Sequence, residues 1–196
     1  MSIKKRLVLI FSPIIVLIVI GMGVLVAFGG VYGIRAARII PGGEMRARNA
    51  VNRFAERVEQ DRLDDVRLVI YYRNPFSTSR IFITVDHLTE EWHTKKIIVE
   101  GDALREHIDT LRQVNSDILM PNRSQYGLNA RIYYIFETTD GRRIFDVAMW
   151  MWDSNLNVLV NNREFEWNDV FADIIMPFIP DDGDFSLSAF IGMERS

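Results

Sequence analysis

From Leu7 to Ile34 the chain runs LVLIFSPIIVLIVIGMGVLVAFGGVYGI without one charged side chain. About 20 apolar residues in a helix span the ~30 Å hydrocarbon core of a bilayer, because a helix satisfies its own backbone hydrogen bonds where water is absent. The run therefore predicts a membrane-spanning helix over 7–34, with a short cytoplasmic N-terminus at 1–6 and a linker at 35–43. A cleaved signal peptide is the alternative, since Lys4, Lys5 and Arg6 precede the run. Signal cores usually extend for about 7–15 residues, whereas this run continues past its one small-residue site at Ala27-Phe28-Gly29, which favours an uncleaved anchor. The basic flank and short N-terminus predict that the remaining chain is extracytoplasmic. Arg35, Arg38, Arg46 and Arg48 leave a cytoplasmic orientation as the alternative. Gly29 and Gly33 have the small-xxx-small spacing that would let the helix form a homodimer.

Beyond Pro41-Gly42-Gly43 the pattern changes. Ala47, Ala50, Val51, Phe54 and Val58 recur every three or four residues, predicting an amphipathic helix over 44–62 that packs against a sheet or lies on a membrane surface. Val66 to Arg73 alternates with period two and reads as a strand. Arg80 to Asp86 alternates again, so the two suggest a hairpin around the turn formers at 74–79. Lys95 to Glu100 is a further short strand. Asp102 opens a helix with Leu104, Ile108 and Leu111 on one stripe, its side chain positioned to cap, ending near Asn115. The irregular stretch 116–129 is long enough to be a binding loop.

Ala130 to Thr139 and Arg142 to Trp152 flank Asp140-Gly141, a two-residue hairpin signal in which glycine supplies a positive φ. Strands over 156–160 and 164–167, a turn at Asn161-Asn162 and a helix over 169–176 complete the domain. The order predicts an α+β fold: the transmembrane helix, then an antiparallel sheet packed with two or three helices over 44–180, and an acidic, apolar C-terminal tail at 181–196.

The chain has no cysteine, which excludes disulfides, thiolate metal sites and cysteine nucleophiles. Residues 41–196 carry 18 basic against 26 acidic side chains, net −8, a field that opposes nucleic acid as a partner. His87, Glu91 and His93 would face one side of an extended link and form the one candidate metal set, against a solvated hairpin tip. The pairs Glu164/Glu166 and Asp181/Asp182 have no further catalytic pattern around them. No phosphate-binding loop or nucleophile elbow is present, so no cofactor is expected.

The remaining chemistry is aromatic. Trp150 and Trp152 project to one face of their strand, with Tyr133 or Tyr134 across the hairpin and Tyr126 in the preceding loop. They form either an exposed binding patch or the interior of a doubly covered strand. The general plan of basic N-terminus, single membrane helix and small cysteine-free sheet domain resembles uncharacterised single-pass extracytoplasmic envelope proteins of Gram-positive bacteria. That resemblance implies a noncatalytic binding or accessory domain at the cell membrane, a subunit or regulator of an envelope assembly with a membrane or envelope protein as partner. An envelope-acting hydrolase or metal-dependent enzyme is the alternative.

Overall fold

A computed structural model describes residues 42–74, 82–90, 93–122, 128–152, 155–181 and 186–192. They belong to one compact unit, Ile39–Ser196. Its centre is a six-stranded, wholly antiparallel sheet in the order β2-β1-β3-β4-β5-β6. The strands are β1 (Val66–Tyr72), β2 (Lys95–Glu100), β3 (Ile132–Thr138), β4 (Arg143–Trp152), β5 (Asn155–Val160) and β6 (Arg163–Phe165).

One sheet face carries the main core. Period-two alternation places Leu68, Ile70, Tyr134, Phe136, Phe145 and Val147 on that side. Helix α1 (Gly43–Glu59) lies over it and buries the stripe predicted from sequence, Ala47, Ala50, Val51, Phe54 and Val58. The Phe54 ring meets Phe136 at 4.3 Å and Phe145 at 5.2 Å between centroids, the tilted and edge contacts that aromatic quadrupoles favour. Short helices α3 (Asp102–Arg105), α4 (Ile108–Leu111), α5 (Val170–Asp173) and α6 (Leu187–Gly192) extend the same layer through Leu104, Leu111, Phe171, Leu187 and Phe190. The Arg48 guanidinium donates to the carbonyls of Ser116 and Leu119, fixing the start of the long loop against α1.

The second face has its own smaller core, in which Ile83, Leu88 and Ala130 cover Tyr133, Ile135, Ala148, Trp150 and Leu159. The middle of β3 and β4 is thus covered on both faces, which accounts for the nearly continuous apolar sequence of this hairpin.

The expected strand over Arg80–Asp86 is not formed among its described residues. Instead 82–84 are irregular and Val85–Glu90 is a helix, α2. The reason is a reciprocal cap: His87 N–H donates to Thr84 Oγ1 and Thr84 N–H donates to His87 Nδ1, at 3.2 and 3.3 Å. β1 pairs with β2 where the hairpin partner was expected. The helix foreseen from Asp102 is broken into α3 and α4, and Gly101, at φ +62°, occupies the cap position assigned to Asp102.

The β3–β4 connection is a hairpin, although its loop has three residues instead of two. Thr138 N–H donates to Arg142 O and Gly141 N–H to Thr138 O, so Gly141 alone takes the left-handed conformation, at φ +85°. The register shifts at Phe136/Glu137 to accommodate the extra residue. Asn161 and Asn162 both have positive φ and make the tight β5–β6 turn.

The membrane expectations are corrected. The stretch 7–34 lies outside the described residues, and among those described no helix is long and apolar enough to cross a membrane. The longest, α1, has 17 residues with charged side chains on its outer face, too short and too polar for a ~30 Å core. The single-pass, signal-anchor description, the bilayer and the helix-mediated homodimer as partners, and the cell-membrane localisation with an extracytoplasmic domain are therefore withdrawn, together with both envelope functions built on them. What stands is an α+β domain with an antiparallel sheet and several helices.

Candidate functional site

The residues expected to form a metal set are not brought together among the described residues. His87 sits in α2 with Nδ1 accepting the Thr84 amide, His93 is in an exposed turn, and Glu91 lies outside the described residues. No group of three histidine, aspartate or glutamate side chains is placed to hold a metal among the described residues. His107, the third histidine, packs edge-on against the Phe178 ring at 4.8 Å.

The aromatic set is divided between the two faces of the sheet. Tyr134 points into the main core and donates its hydroxyl to Phe171 O at 3.1 Å. Tyr133 and Trp150 lie in the second core, and all three are buried. Tyr133 stacks on Tyr71 at 6.2 Å. Burial, aided by the Asp146 charge, pushes the Tyr133 hydroxyl well above the usual phenol range. Tyr126 and the Trp152 side chain lie outside the described residues.

Near them is a polar group that neither periodicity nor motif singles out. Arg131, one residue before β3, is only 8% exposed. Its backbone joins two strands, with the N–H donating to Met149 O at 2.9 Å and the carbonyl accepting from Arg73 N–H at 3.0 Å. Its Nη1 is buried without a hydrogen-bond acceptor, and no carboxylate pairs with it among the described residues. Desolvation, then the positive charge of Arg73, hold its pKa below that of a free arginine. A buried cation beside a like charge is costly, and such groups are ordinarily paired.

A second unsatisfied donor lies on β4, one residue beyond Met149, whose carbonyl accepts the Arg131 N–H. The β3–β4 ladder ends at the Ile132–Met149 pair, and the next residue of β4 is Trp150. Trp150 is 1% exposed, and its indole Nε1–H also lacks an acceptor. Its partner on β5 is Asn157, another buried polar residue. Arg73 and Arg131, joined by a backbone bond, and Trp150 and Asn157, paired across β4 and β5, thus lie toward the same end of the sheet and bring several N–H donors to it. Sequence reasoning found Trp150 but missed Arg131. The available signal was a lone cation at the entrance of an otherwise apolar strand.

At the opposite end Asp146, 8% exposed, accepts from Arg143 at 2.9 Å, and its backbone exchanges bonds with Asn161. Burial raises its pKa and the Arg143 charge opposes the rise, so this carboxyl belongs to a satisfied structural pair. Comparison with known families, characterised proteins and solved structures yields no match for the chain. The site's chemistry therefore rests on its geometry.

Proposed function

We propose that the domain is a binding module for a small anionic group, a carboxylate or a phosphate, received at the end of the sheet that carries Arg73, Arg131 and Trp150. One observation carries the reading: the Arg131 guanidinium is buried with an unsatisfied Nη1 beside the Arg73 charge. An anion offers acceptor atoms for the orphaned Arg131 and Trp150 donors and negative charge to the buried Arg131 guanidinium. A carboxylate or phosphate oxygen suits a guanidinium better than any neutral acceptor, because charge-assisted bonds are about twice as strong as neutral ones. The surrounding charge of net −8 over 41–196 works against polyanions and so selects a small ligand held by local contacts.

The expected affinity is modest. One charge-assisted contact and one indole bond give roughly 4 kcal/mol net, a dissociation constant on the order of 1 mM. Inorganic phosphate at ~20 mM should then raise the melting temperature of the full chain by about 5 °C beyond sodium chloride of equal ionic strength. Succinate in place of phosphate distinguishes the carboxylate from the phosphate source. Arg131→Met preserves the packing of the side-chain stem while removing the charge, so the variant should fold and lose the response. A wild-type chain responding to neither anion, or a variant responding as strongly as wild type, would overturn the reading.

A further inference from the structure

The two edges of the sheet are treated differently. At the β6 edge the preceding loop closes over the strand: Pro121 bridges Phe165, and Glu166 N–H donates to Met120 O at 2.7 Å. At the other edge no strand among the described residues pairs with the outer side of β2. The direction of its free groups follows from the ladder. Thr139 N–H donates to Asp65 O and Arg73 N–H to Arg131 O, so odd-numbered β1 positions turn their backbone groups toward β3 and even-numbered ones toward β2. Leu68, Ile70 and Tyr72 are paired with Val99, Ile97 and Lys95, which leaves the N–H and C=O groups of Lys96, Ile98 and Glu100 directed away from the sheet. Those three side chains share the second face, and Ile98 is 50% exposed.

We propose that this edge is a homodimer interface, in which β2 of two copies pairs antiparallel about a twofold axis through Ile98 to make one continuous sheet. The inference is independent of the anion site. Antiparallel pairing about an axis perpendicular to the sheet sets residues of one face opposite residues of the same face. With the axis at Ile98, the two isoleucines lie opposite each other and Lys96 faces the second copy's Glu100 on both sides. All outward backbone groups of Lys96, Ile98 and Glu100 then find partners. The Lys96 ammonium is already held along this face, 5.3 Å from the Tyr71 ring centroid.

Other registers lose this match. A shift of the pairing by two residues sets Ile98 opposite either Lys96 or Glu100, giving an exposed apolar side chain a charged neighbour. A further shift sets Lys96 against Lys96. Edge lysines ordinarily discourage strand addition. Here Glu100 lies at the spacing that converts the same lysine into a selector for one partner, another copy of this strand.

The experiment is sedimentation equilibrium of the full chain, whose mass is 22.7 kDa, with three variants. Wild type should show a concentration-dependent mass approaching twice that value. Lys96→Glu turns two attractive pairs into two repulsive ones at a surface position and should weaken association on the order of tenfold or more. The double variant Lys96→Glu, Glu100→Lys should restore it, an outcome that misfolding would not give. Because the chain has no cysteine, Ile98→Cys should form a dimer-linking disulfide on mild oxidation, as facing positions ~5.5 Å apart allow. A monomer at ~100 μM, or a dimer unaffected by Lys96→Glu, overturns the proposal.

Discussion

The Tyr134 hydroxyl donates to the backbone carbonyl of Phe171 across 3.1 Å, fully inside the main core. This bond ties the central strand β3 to α5, and burial holds the phenol far above its ordinary pKa, so it stays a donor. Tyr134→Phe keeps the ring but leaves the Phe171 carbonyl buried without its partner. A loss of about 1–3 kcal/mol in urea unfolding is expected. An unchanged midpoint would show that the carbonyl finds another donor.

Trp150 distinguishes a doubly covered strand from an exposed aromatic patch. At 1% exposure, its replacement by alanine should open a cavity and cost about 3–5 kcal/mol in the same assay. A cost below ~1 kcal/mol would mean that the second core does not enclose the indole.

Gly141 tests the hairpin loop. A Cβ added there meets nothing within 4 Å, so crowding is not the obstacle, and the φ of +85° is. Gly141→Val should cost at least ~1 kcal/mol through the left-handed backbone alone, and Gly141→Asn appreciably less. Equal losses for both variants would point away from the backbone as the cause.

Asp146 gives a pH dependence with a defined sign. Its folded pKa is raised, by burial first, so above the ordinary carboxylate value the folded state binds more protons than the unfolded state and stability falls as pH rises toward the raised value. The exposed Asp140 is shifted the other way by the Thr138 hydroxyl and acts below the ordinary value, in a separate window. Asp146→Asn should flatten the decline in the upper window. A decline of the same slope in the variant would assign it to another group.

Much of this fold is readable from side-chain period. The α1 stripe and the β3–β4 hairpin follow from it directly, because burial on one or both faces leaves little choice of residue. The segment 82–90 misleads because Ile81, Ile83 and Val85 alternate like a strand, while the deciding interaction is the local exchange of bonds between Thr84 and His87. The break between α3 and α4 is equally hidden, since Leu104, Ile108 and Leu111 keep helical spacing across it. The donor set was half legible. Trp150 stands out by type, but Arg131 acquires meaning only when its backbone bonds set it between Arg73 and Met149, at the end of the sheet that holds Trp150.

The indole N–H of Trp150 reports most directly on anion binding. Among the four tryptophans, Trp167 already donates to Asp169 at 3.0 Å and serves as an internal control. Titrating ¹⁵N-labelled chain with phosphate or succinate up to ~50 mM should move the Trp150 side-chain resonance along a saturable curve while that of Trp167 stays fixed. A Trp150 resonance unmoved by both anions would contradict the account.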